Sequence, residues 1–88
     1  MQTRKLSAEQ LELLEEVVRK HLPEDAERLL GESPERWQSS DRNRVRDAIG
    51  EEVAETGFDA GYEPTARGHL LESLIDFVNR LEPTPKTN

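Results

Sequence analysis

The side chains able to do chemistry are few in kind. Cysteine is absent, which removes disulfides, thiolate metal sites and a thiol nucleophile together and is compatible with a reducing compartment. The two histidines, His21 and His69, stand far apart in the chain and open no local metal or acid–base motif. No phosphate-binding glycine loop, dinucleotide glycine fingerprint, paired-histidine zinc helix or serine elbow is written in the sequence. Acids are plentiful, 19 against 12 Lys and Arg for a formal charge of −7, and any two of them named as a catalytic pair would be an arbitrary choice. The expectation is therefore no catalytic residue, no metal, no cofactor and no enzyme activity.

Two charged stretches remain to be weighed. Arg36, Arg42, Arg44 and Arg46 cluster closely enough to touch phosphates. The segment that follows, residues 47 to 76, holds Asp47, Glu51, Glu52, Glu55, Asp59, Glu63, Glu72 and Asp76 against Arg67 alone, a field that repels a polyanion. A helix-turn-helix would also need a short turn and a basic second helix, where this chain has a loop of about nine residues and an acidic helix. Nucleic-acid binding through the arginines is the weakest of the readings considered. Asp59, Gly61 and Glu63 alternate like oxygen ligands, but the twelve-position calcium loop with a terminal bidentate acid is missing.

Those residues need elements to hold them, and the apolar pattern supplies helices. Ser7 and Gln10 have capping-box spacing, so a first helix starts at Ala8 and ends before Pro23. Its inward face reads Leu11, Leu14, Val17, Val18 and Leu22, with Leu13 widening the stripe and His21 falling inside it as a core-edge imidazole. A short helix from Pro23 to Leu30 follows, stopped by Gly31 in a left-handed conformation. Ser33-Pro34 then starts a single turn through Trp37, the only tryptophan, which is either a core keystone or a partner anchor.

The next helix is expected from about Asp41 to Thr56, with Val45, Ala48, Ile49 and Val53 inward. Gly57 ends it as a Schellman stop that brings Phe58 onto Val53, and Gly50 signals a close helix crossing. Glu52 falls within the apolar stripe, where a buried carboxylate needs an arginine partner or water. Thr65 caps the last helix, whose stripe of Leu70, Leu71, Leu74, Phe77, Val78 and Leu81 is the strongest amphipathic signal in the chain. The fold class is all-α: a small bundle of three longer helices plus one or two short helical turns, one domain over 1–82 with a polar, flexible tail over 83–88.

Leu, Ile, Val and Phe make up about 23% of the 88 residues, just above the roughly 20% below which disorder is the default, so the core is thin. No apolar run approaches the roughly 20 residues of a membrane span, and the polar start has no secretory h-region. A cytoplasmic protein is expected.

The stretches Glu-Glu-Val-Ala-Glu-Thr-Gly-Phe-Asp (51–59), Glu-Pro-Thr-Ala-Arg-Gly (63–68) and Leu-Glu-Ser-Leu-Ile-Asp (71–76) resemble a pattern in small bacterial helical proteins of unassigned function. The resemblance covers roughly residues 41–81 and implies a bacterial origin and no particular activity. With no chemistry of its own, such a domain acts by occupying a partner. The acidic face, with Glu51, Glu55, Phe58, Asp59, Tyr62 and Glu63, is expected to dock on a basic surface of another protein, as an inhibitor, an antitoxin or immunity-type protein or a nucleic-acid mimic does. The alternative is a homodimer through the first helix, with Leu13 and Val17 at the contact.

Overall fold

The computed structural model describes residues 6–81; the polar start over 1–5 and the tail expected over 83–88 lie outside the described residues. Four α-helices follow one another: α1 (Ala8–His21), α2 (Ala26–Gly31), α3 (Ser39–Thr56) and α4 (Ala66–Leu81), with a 3₁₀ turn (Pro34–Arg36) before α3. This is the all-α bundle the pattern calls for. The most extensive packing joins α3 to α4, and α1 lies against α2, α3 and α4. None of these helices is long and apolar enough to cross a membrane. Val17, Val18, Leu29, Ile49, Leu71 and Leu74 are fully buried between them.

The capping box of α1 forms as written: Gln10 N–H donates to Ser7 Oγ, and Ser7 N–H donates to Gln10 Oε1. The buried face of α1 keeps Leu14, Val17 and Val18, with Leu13 widening it at 6% exposed, but departs from the expected one at Leu11, which is half exposed. At about 100° per residue, the buried arc centres on Leu14 and Val17 and includes Gln10 and His21, two polar residues that carry their own partners. Gln10 Nε2 donates to Ser73 Oγ of α4 at 2.9 Å. That rotation draws Leu13 inward and leaves Leu11 outside. Leu13 and Val17 therefore belong to the chain's own core, and the homodimer contact expected of them has no exposed side chains to use.

Trp37 resolves as the keystone. It is 3% exposed, and its indole N–H donates to the Leu29 carbonyl at 3.0 Å, fixing the 3₁₀ turn on α2. Arg42 Nη1 in turn donates to the Trp37 carbonyl at 2.8 Å. The helix starts are less regular than expected. Residues 23–25 form a turn, and α2 begins only at Ala26, because the Asp25 carboxylate faces Arg28 and Arg44 instead of capping the helix. α3 begins two residues before Asp41. There the Asp41 side chain reaches back to the Gln38 N–H at 3.3 Å and takes a bidentate contact from Arg28 at 3.0 and 3.2 Å.

Three glycine expectations are corrected. No described glycine has positive φ. Gly31 is the last residue of α2, and the chain leaves the helix through an extended Glu32 and Ser33, the conformation Pro34 imposes on the residue before it. Gly57 has φ −86° and ψ −9°, and its N–H bonds Val53 O as one more helical step, so the Schellman stop does not form and Phe58 stays 43% exposed. A Cβ at Gly50 would meet nothing within 4 Å, so no helix crosses close there. The close approach lies instead at Gly68, where a Cβ would come within 2.2 Å of the Gly57 carbonyl oxygen. That oxygen also accepts from Thr65 N–H at 2.9 Å and Thr65 Oγ1 at 3.2 Å. The Thr65 hydroxyl caps the new helix by accepting from Gly68 N–H at 3.0 Å.

Two glycine-to-alanine substitutions should therefore act in opposite directions. Gly50→Ala, on an exposed helix face, should stabilise the domain by up to about 1 kcal/mol through helix propensity. Gly68→Ala should cost about 1–3 kcal/mol, because the obstructing atom is backbone and α4 must shift. Urea unfolding of the two variants beside the native protein checks both signs.

Candidate functional site

The densest polar cluster is built around the carboxylate that the pattern places in the stripe of α3. Glu52 is 1% exposed, and every contact it makes beyond its own helix comes from α1 or α4. Its Oε1 accepts from Lys20 Nζ at 2.9 Å and lies 2.8 Å from His21 Nε2, both in the last turn of α1. Its Oε2 accepts from Arg67 Nη2 at 2.8 Å and from Thr56 Oγ1 at 2.9 Å. Arg67 stands in the first turn of α4 and also donates from Nε to Thr56 Oγ1 at 2.9 Å and from Nη2 to Glu16 Oε2 at 2.8 Å. Lys20 reaches a second carboxylate, Glu55 Oε1, at 2.9 Å, and His21 Nδ1 lies 3.2 Å from Glu51 Oε1.

Burial alone would push the Glu52 carboxyl up. The hydrogen bonds from Arg67, His21, Lys20 and Thr56 outweigh it and hold the carboxyl far below its ordinary range. Asp41 is likewise held low by the Arg28 guanidinium against the cost of its burial. Since an ionised carboxylate can only accept, His21 Nε2 is the donor in its contact with Glu52. His21, Glu52 and Glu55 are close enough to share a cation, and the Lys20 ammonium already bridges the two carboxylates. What this arrangement does chemically is fasten three helices at one point. It offers no unengaged nucleophile or base, since each oxygen of Glu52 carries two partners.

A second feature is the connection between α3 and α4. Phe58 and Pro64 form an isolated antiparallel bridge. Within it, Asp59 N–H donates to Glu63 O and Tyr62 N–H to Asp59 O, both at 2.9 Å. The Asp59 carboxylate accepts from Gly61 N–H at 2.9 Å and Glu63 N–H at 3.0 Å. This is a three-residue hairpin, a turn followed by one left-handed residue, and the left-handed residue is Tyr62 at φ 65°. Glycine suits such a position, whereas a bulky side chain there costs roughly 1–2 kcal/mol. The ring gains no burial in return, for Tyr62 is 85% exposed. Asp59 is thus an internal clamp of the loop, and the alternation of Asp59, Gly61 and Glu63 reflects turn geometry.

Of the residues expected to face a partner, Phe58, Asp59, Tyr62 and Glu63 come together on this exposed loop. Glu51 and Glu55 are exposed on α3, but their carboxylates are engaged by His21 and Lys20. The arginine cluster is largely taken up internally: Arg42 by the Trp37 carbonyl, Arg44 by Asp25, and Arg46 by Asn79 Oδ1 at 2.8 Å. Sequence reasoning missed Lys20, Glu16 and Arg67 as members of the Glu52 cluster. The available signal was Arg67 itself, the single Lys or Arg between residues 47 and 76.

No protein-family model matches this chain, and no curated protein or solved structure matches it either.

Removing the charge from Glu52 leaves Arg67, Lys20 and His21 facing a neutral amide. Glu52→Gln should cost about 3 kcal/mol, at the low end for breaking a buried ion pair because Arg67 and Lys20 keep access to water. Carboxyls that titrate lower folded than unfolded contribute stability that is complete above the unfolded value and is lost as pH falls through the folded one. The native protein should accordingly lose stability from about pH 4.5 downward, and Glu52→Gln should blunt that loss. Urea midpoints between about pH 6 and pH 3 test the linkage, and an identical acid slope in the two proteins would refute it.

Proposed function

We propose that the chain is a non-enzymatic protein-binding module that docks on a basic surface of another protein through its α3–α4 loop. The observation that carries this reading is Tyr62, a large aromatic in a left-handed conformation and almost fully exposed. Stability alone would favour glycine at the position and a buried ring elsewhere. Backbone strain kept beside an exposed aromatic points to use of the ring, and tyrosine is among the residues that dominate binding energy at interfaces. The loop is pre-shaped by its hydrogen bonds, so little ordering entropy opposes association. Phe58 adds apolar surface beside it, and Glu63, with no ion-pair partner among the described residues, supplies the charge that selects a cationic partner. Glu51 and Glu55, shared with His21 and Lys20, contribute less. Inhibition, or mimicry of a nucleic acid, would follow from covering a partner's basic site. Cysteine-free composition fits a reducing compartment, so we place this activity in the cytoplasm.

Tyr62→Gly separates stability from binding. It should raise stability by about 0.5–1 kcal/mol, the strain relieved less the extra unfolded-state freedom of glycine, while abolishing docking. Affinity capture on the immobilised full chain, run beside Tyr62→Gly and Glu63→Lys, should yield a basic protein held by the native chain, eluted by salt and lost from both variants. Retention of the same protein by Tyr62→Gly would sink the proposal.

A further inference from the structure

A groove of about 310 Å³ runs between α1 and the start of α4, and no residue of the Tyr62 loop lines it. Leu13, Ala66 and Leu70 give it apolar surface; Glu9, Glu12 and Glu16 line its α1 side. Its volume lies at the low end of the roughly 300–1,000 Å³ typical of ligand pockets, room for one or two side chains of a partner and not for a helix. Glu9, Glu12 and Glu16 recur at helical spacing on one side of α1, where like charges repel. Among the described residues the only cation in the lining is Arg67, and its guanidinium is held by Glu16 and Glu52. Glu9 and Glu12 have no ion-pair partner among the described residues. An apolar floor beneath an uncompensated acidic rim is complementary to one kind of occupant, an apolar side chain carried between basic ones.

We infer that this groove binds a linear peptide segment of another protein in which an aliphatic residue is flanked by Lys or Arg, the aliphatic side chain entering over Ala66 and Leu70 and the cations pairing with Glu9 and Glu12. The inference stands apart from the Tyr62 loop and does not require it.

The test is a titration of the ¹⁵N-labelled full chain with the capped peptide Lys-Arg-Leu-Lys-Arg, followed by amide shifts. Saturable shifts are expected at Glu9, Glu12, Leu13, Glu16, Ala66 and Leu70. A peptide with serine in place of leucine, and one with glutamine in place of each cation, should each bind at least about tenfold more weakly, roughly the loss of one good contact. Ala66→Arg places a cation at the groove, and Glu12→Lys removes half of the unpaired rim; both positions are exposed, and circular dichroism confirms that each variant folds. Both should lose the shifts. Equal binding of the serine peptide would mean attraction by charge alone and would overturn the inference. So would shifts confined to the loop at 58–64, or binding unaffected by either substitution.

Discussion

The bundle depends on a carboxylate that must stay ionised in a place with almost no water. Glu52 sits among the inward positions of α3, where a lone charge would be costly, and its solution is to draw cations from both neighbouring helices. The last turn of α1 supplies the Lys20 ammonium, where the helix dipole favours positive charge, and a hydrogen bond from His21 beside it. The first turn of α4 supplies Arg67, where the dipole opposes it, and Arg67 accordingly holds two carboxylates, Glu52 and Glu16. Each helix is placed by what the same anion requires of it. Apolar packing alone would let the helices of so thin a core slide or rotate. A buried anion with directional donors on three helices admits far fewer arrangements, and it turns α1 so that Gln10 and His21 face inward while Leu11 faces out.

The α3–α4 connection obeys a second constraint, which is steric. Arg67 reaches Glu52 only if the start of α4 lies against the end of α3, and that approach brings the Gly68 Cα against the Gly57 carbonyl. Two glycines and the Thr65 cap make the contact possible, and the loop between them has to reverse within a few residues. Asp59 closes that reversal from inside, and the left-handed residue it requires falls on Tyr62. The strain at Tyr62 is thus traceable to the helix spacing that Glu52 demands. The choice of tyrosine for that position is not, which is why the side chain is better explained by contact with something outside the fold.

The helices themselves were legible from apolar periodicity and from local signals such as Ser7 with Gln10 and Thr65 before α4, because those signals act within a few residues. Glu52 was also legible as a problem, since its place in the stripe demands a partner. The identity of the partners was hidden, for Lys20 and Arg67 meet Glu52 only once three helices pack. Glycines misled for the same reason. Gly31 and Gly50 read locally as a left-handed stop and a crossing, and Gly57 as a Schellman stop, whereas the glycine that lets α4 approach α3, Gly68, sits in a first helical turn with no local reason to be there. Leu11 was placed inward and lies outside because a helical wheel cannot know that polar residues will be welcomed into the core by a neighbour.

Charge is where reading by sequence and reading by space diverge most. Along the chain, residues 47–76 look like one uninterrupted acidic face. In space, Lys20 and His21 of α1 cross to α3 and engage Glu51, Glu52 and Glu55, while Arg67 turns back on two acids at once, so part of that face is answered from within. Among the described residues, the acids left without an ion pair beside exposed or half-exposed apolar surface are others: Glu63 next to Tyr62, and Glu9 and Glu12 beside Ala66 and Leu70. A solvated charge that serves only solubility needs no such neighbour. An anion set beside an apolar contact gains from a cationic partner twice, through Coulomb attraction at the rim and through removal of apolar surface from water. That pairing, and not the net charge of the chain, separates a docking surface from an acidic exterior.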